Sequence, residues 1–281
     1  TEVAIFYALA LRASAIPTDK SYSKQRAAGK ILQDLFQEEP NHPGIAHYII
    51  HSYDYPELAE LGLSTARRYA DIAPNSAHAQ HMPSHIFTRL GLWEESISTN
   101  INSASSAVCY AESIAPGAHW DEEVHAMGYL VYAYLQTGEN EKAKEQYAYL
   151  NSFEKIFPPN FKIAYTAAAI PARIAVENKN WEAASVLQLP QIPEMEWEKF
   201  PWQQSLLHFA KALGTIHVNN LIEAEKELAL LKSFKEELIG LNDSYKANQV
   251  AIQIETIEAW IAFKNGDIEK ALIQMRNAAE M

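Results

Sequence analysis

Apolar positions recur at three- and four-residue intervals along the chain, and nothing in it reads as a sheet. The pattern predicts an all-α protein. Its clearest markers are short polar turns, each followed by an amphipathic helix. They are GLWEESI from Gly91, GENEKAKEQY from Gly138, NKNWEAASVL from Asn178, NNLIEAEKEL from Asn219 and NGDIEKALIQM from Asn265, with a looser instance, YPELAELGL, from Tyr55. Most place acids in the first helical turn, where the exposed amides and the helix dipole favour negative charge. Most also carry an alanine near the centre, small enough to let the helix approach its neighbour closely.

The markers predict stacked helix pairs. Single helices are expected over about 1–14 and 22–38. Pairs follow near 43–53/56–73, 77–90/92–112, 119–137/139–154, 160–177/180–187, 202–217/219–235 and 243–264/267–281. Pro43 fits the first turn of its helix, where a missing amide costs nothing. Pro83 allows two readings: a kink inside a helix starting near Ala77, or a helix that starts at Pro83 and leaves His81 just outside. Pro171 poses the same question. The expected architecture is a tetratricopeptide-like right-handed superhelix, with first helices lining the inner surface and second helices outside. A single domain over 1–281 is expected, with a possible bend in the irregular stretch near 189–201.

The 281 residues are 48% apolar and 21% charged, which suits a globular chain with a continuous core. A formal charge of −12 and no basic cluster disfavour a nucleic-acid partner. No apolar run reaches the roughly 18 residues of a membrane span. The single cysteine, Cys109, rules out an intrachain disulfide and is expected to be buried and inert. Both ends fall inside helical patterns and read as cuts, so localisation stays undecided.

Five of the ten histidines add a candidate chemistry. His47 and His51 lie in PGIAHYIIHSYDYPELAE, and His78, His81 and His85 in SAHAQHMPSHIFTRLGLWEES. His81 follows His47 by 34 residues, and His85 follows His51 by the same interval, which is the period of a tetratricopeptide helix pair. Each i,i+4 pair projects from one helix face. Neighbouring inner helices lie about 8–10 Å apart, so equivalent positions face each other across one helix spacing. The next first helix adds His119 and His125, with Glu122 and Glu123 between them. The candidate metal ligands are His47, His51, His81, His85 and His125, with Asp54 as a ligand or as a group orienting a ring nitrogen. Such a set suits zinc, iron, nickel or copper. Tyr48, Arg89, Tyr129 and Arg173 are candidate ligand-binding residues in a groove. The alternatives are that the histidines serve as hydrogen-bond donors there, or simply pack. His42 and His78 also fit helix-cap roles, and His208 and His217 fit structural ones. No phosphate loop, nucleophile elbow, C-x-x-C or H-E-x-x-H pattern is present.

HPGIAHYIIHSYDYP, IAPNSAHAQHMPSHIFTRLGLWEESI and AAIPARIAVENKNWEAA together resemble a large family of uncharacterised bacterial tetratricopeptide-repeat proteins. HMPSHIFTRLG is the most specific segment. The resemblance runs from about Asn41 to the end. It implies an all-helical repeat fold and further repeats upstream, and brings no function with it. The expected function is therefore a repeat scaffold that binds a peptide, protein or small ligand in its concave groove. The alternative is a metal-binding protein or metalloenzyme built on the duplicated histidines, with no reaction class assigned.

Overall fold

The computed structural model describes residues 1–16 and 19–281. The described residues are predominantly helical, as the periodicity predicts. In chain order they form α1 (Glu2–Ala13), α2 (Ser23–Glu38), α3 (Pro43–Tyr53), α4 (Leu63–Ile72), α5 (Ala77–His81), α6 (Pro83–Leu90), α7 (Trp93–Ile114) and α8 (Asp121–Gln136). They continue with α9 (Asn140–Leu150), α10 (Phe161–Glu177), α11 (Trp181–Ser185), α12 (Pro201–His217), α13 (Leu221–Gly240), α14 (Ser244–Lys264) and α15 (Ile268–Glu280). The chain divides into two compact units, one of Thr1–Pro116 with Tyr132–Gly138 and one of Gly117–Val131 with Glu139–Met281. The irregular stretch after α11 lies within the second unit.

Five of the six predicted turns share one backbone device. Gly91, Gly138, Lys179, Asn219 and Gly266 all adopt left-handed conformations, and each stands two residues before a second helix. A left-handed residue ends the preceding helix and reverses the chain. Asn180, Asn220 and Asp267 then cap the new helix, their side chains accepting the amides of Ala183, Glu223 and Lys270.

In the first unit α2 packs on α1 and α3, and α7 packs on α5 and α6. The core runs through Leu32, Phe36, Ile45, Ile49, Ile50, Tyr53, Met82 and Ile86. The buried face of α7 is a seam of small and polar residues: Ser96, Asn100, Ser103, Ala107 and Ala111. Small side chains bring α7 close enough for the Ser103 hydroxyl to donate to the Ala77 carbonyl of α5 at 2.7 Å. Cys109 lies off this seam and is exposed, so the expectation of a buried thiol is corrected. In the second unit α12 packs on α10, α11, α13 and α14, around Ile216, Leu231, Val250 and Ile257. One departure from the helical expectation is a two-residue parallel pair, β1 (His119–Trp120) with β2 (Ile156–Phe157). It is too short to leave a period-two signature in the sequence.

Pro83 resolves between its two readings. It separates α5 from α6, but Met82 between them keeps helical dihedrals of −51° and −39°, and its amide still donates to the His78 carbonyl at 3.0 Å. The missing proline amide breaks the ladder without turning the chain aside. Pro171 sits inside α10, which continues through it.

Two glycines test this packing. A Cβ on Gly29 would stand 2.3 Å from the Tyr53 ring, which is only 2% exposed, whereas one on Gly240 would meet nothing within 4 Å. Gly29→Ala is expected to destabilise by about 1–3 kcal/mol through overpacking. Gly240→Ala is expected to stabilise by about 0.4–1 kcal/mol, through the lower entropy of the unfolded chain. Urea denaturation of the two variants beside the parent checks both, and equal midpoints would contradict the close approach of α2 to α3.

Candidate metal centre

The first unit gathers five imidazoles into a closed ring of neighbours. His47 and His51 come from α3, with ring centroids 4.6 Å apart and planes at 78°. His51 faces His85 of α6 at 6.1 Å, and His85 faces His81 at 4.9 Å and 79°. His81 faces His78 of α5 at 6.4 Å, and His78 closes the circuit onto His47 at 5.2 Å. His81 is fully buried and the other four are partly buried.

The Nδ1 atoms of His81 and His85 are both engaged. His85 Nδ1 lies 2.9 Å from Asp54 Oδ2, and the second carboxylate oxygen accepts from Arg89 Nε at 2.9 Å. Asp54 directly follows the last residue of α3, so the helix end delivers its carboxylate to α6. Burial pushes the Asp54 pKa up, but hydrogen bonds and charge from His85 and Arg89 outweigh it and hold the group below its ordinary value. His81 Nδ1 lies 2.7 Å from Asn100 Oδ1. The Asn100 amide is oriented by its own donation to the Ser96 carbonyl at 2.7 Å, so its oxygen faces the imidazole. A carboxylate and an amide oxygen only accept, so both rings donate from Nδ1. In a neutral imidazole this makes Nε2 the acceptor. The two Nε2 atoms face each other at 3.1 Å.

His47 and His51 are held neutral. The His47 pKa falls to about 4 and that of His51 to about 3, first through burial. The next contributions are the charges of His78, His85 and Arg12 for His47, and of His47, His85 and Arg12 for His51, where Asp54 opposes the shift. The Tyr69 hydroxyl stands 3.5 Å from His47 Nδ1, and burial pushes its own pKa up to about 12. Arg12 Nε donates to the His51 carbonyl at 3.0 Å.

Tyr48 packs beside His47 with ring centroids 5.0 Å apart. His125 and Tyr129 lie in the second unit on α8, 5.6 Å apart edge to face. Arg173 reaches the Gly128 carbonyl and the Tyr165 hydroxyl at 3.3 and 3.1 Å. Glu122 and Glu123 are buried and partnered: Lys162 pairs with Asp121 and Glu122, and Glu123 accepts from Tyr149 at 2.8 Å. His42 caps α3, its Nδ1 accepting the Ile45 amide, whereas Ser76 rather than His78 caps α5. His208 pairs with Glu227 at 2.6 Å, and His217 stacks on Trp181 at 4.0 Å. Sequence reasoning missed Asn100, Tyr69 and Arg12. A signal for Asn100 was present, namely a lone amide on a helix face otherwise made of serine and alanine. Nothing local marked Tyr69 or Arg12.

No known family matches the chain, and no protein of curated function matches it in sequence.

The depressed histidines predict an acid response. Above pH 6.5 these imidazoles are neutral in folded and unfolded chains alike, and stability is independent of pH on their account. Between pH 6.5 and about 4 for His47, or about 3 for His51, the unfolded chain takes up protons that the folded one refuses, so stability falls as pH falls. Urea titrations at a series of pH values, with chelator present, should show this slope in the parent and a shallower one in His47→Phe/His51→Phe. Equal slopes would contradict it.

Proposed function

We propose that the chain is a transition-metal-binding protein, with His81 and His85 as the central ligand pair. One observation carries this reading: two imidazoles whose Nδ1 atoms are engaged by acceptors turn their Nε2 atoms toward each other at 3.1 Å. Facing lone pairs repel unless a metal ion or a shared proton lies between or beside them, and a metal ion fits the spacing. Two nitrogens at about 2.0–2.1 Å from one ion stand roughly 3.3 Å apart in a tetrahedral site and roughly 2.9 Å apart in a cis octahedral one. The observed separation falls between these. Asp54 and Asn100 then act as orienting groups, each fixing a ring and raising the basicity of the ligating nitrogen. Imidazole donors favour zinc, copper, nickel or iron over magnesium or calcium. The reading is built without His125, which belongs to the second unit.

The scaffold carrying this site fits a tetratricopeptide-like class. Support comes from the left-handed turn residue repeated two positions before five of the second helices, and from α10, α12 and α14 packing in succession in the second unit. A second reading, ligand binding on the repeats, is favoured by one observation there. Arg173 lies over Tyr165, Tyr165 stacks on Trp202 at 5.5 Å, and Lys246 lies over Trp202. This row of aromatic faces and cations crosses the three helices and suits an acidic or aromatic peptide.

Elemental analysis and cobalt absorption spectroscopy on untagged protein test the metal reading. The parent is expected to take up zinc or cobalt, and His81→Ala/His85→Ala to lose at least one equivalent. Asp54→Asn is expected to bind about 10–100-fold more weakly, because its amide no longer supplies a carboxylate to His85. No uptake by the parent, or uptake unchanged in the double variant, overturns the reading.

A further inference from the structure

We propose that the five-imidazole ring holds two transition-metal ions, the second one seated on His47 and His51. This rests on the reading of His81 and His85 as a ligand pair. The sequence relates the two pairs by the same 34-residue offset, and each is an i,i+4 pair. The structure shows that the likeness extends to their geometry. The His47 and His51 rings stand 4.6 Å apart at 78°, against 4.9 Å at 79° for His81 and His85. Both pairs thus present the same edge-on arrangement.

A third imidazole stands beside the second pair. His78, on α5, stands over His47 with ring centroids 5.2 Å apart. Two imidazoles bound to one ion have their ring centres roughly 4.5–5.2 Å apart for cis octahedral to tetrahedral geometry, taking metal–nitrogen bonds of about 2.05 Å. The His47–His51 and His47–His78 separations both fall within that span. Tyr69 bears on His47 Nδ1 as Asn100 bears on His81 Nδ1, though at a looser 3.5 Å. The anchoring of His51 is through its backbone, where its carbonyl accepts from Arg12. His51 and His85 face each other across 6.1 Å, so the two pairs share a wall of the same ring and their ions would be neighbours. The ligand class is a borderline first-row ion, because the pair offers neutral nitrogen donors and no hard oxygen cage.

Metal stoichiometry on untagged, chelator-stripped full chain tests this, with cobalt and copper titrations followed by dialysis and elemental analysis. Two equivalents are expected in the parent. One is expected in His47→Gln/His51→Gln, and one in His81→Gln/His85→Gln. One equivalent in the parent, whichever variant loses it, overturns the second ion. If that single equivalent is lost in His81→Gln/His85→Gln, the reading of that pair stands. No uptake in the parent overturns both. Copper electron paramagnetic resonance on the parent provides a test independent of any variant's folding. Two neighbouring copper ions give a half-field transition and dipolar broadening as the second equivalent is added, and a spectrum of isolated ions at every loading overturns the proposal.

Discussion

The contact between His81 and Asn100 organises the first unit. His81 is fully excluded from water, and a buried imidazole must place its nitrogens on partners or lose the free energy of desolvating them. Asn100 supplies one partner from α7, and is itself held by Ser96 one turn earlier. That link requires α7 to lie close against α5, and the small residues of its inner face make the approach possible. With His81 fixed in this way, its other nitrogen stands 3.1 Å from that of His85. The orientation of His85 is set in turn by Asp54 at the end of α3, so two successive helix pairs become joined through polar groups rather than through apolar packing alone.

The proline between His81 and His85 belongs to the same arrangement. A continuous α-helix would have served equally well to place residues four apart on one face. Pro83 removes one ladder bond while the backbone keeps its helical course, so the two rings retain their common direction. The carboxylate of Asp54 answers both His85 and Arg89, which couples the ring of imidazoles to a cation at its edge. Arg12 does something similar for α3 from the first helix, through the His51 carbonyl. Neighbouring histidines and Arg12 add to burial in holding His47 and His51 neutral, the form in which imidazole offers a lone pair.

The second unit uses its polar groups differently. Glu123 is 1% exposed yet accepts from Tyr149 and lies against His119, while Lys162 neutralises Asp121 and Glu122. These acids stand at the start of α8, where helix amides also favour negative charge. His119 and Tyr149 thus take up Glu123, and Lys162 takes up Asp121 and Glu122, all within this unit.

The sequence by itself determined the helical class, the turns and the duplicated histidines, because those signals are local. A three- and four-residue apolar period, a polar turn before a second helix and an i,i+4 spacing are all written within a few residues of one another. It misplaced Cys109, since one apolar period says which face is buried only once the helix has a neighbour; α7 is buried along Ser96, Asn100 and Ser103, and the thiol lies off that line. It also passed over Asn100, Tyr69 and Arg12, which lie 19, 22 and 39 residues from the groups they touch. Only the tertiary structure decided which nitrogen of each imidazole is engaged and which way the other one points. That choice depends on partners brought by different helices, and hydrogen-bond direction is a property of the packed arrangement rather than of any segment of the chain.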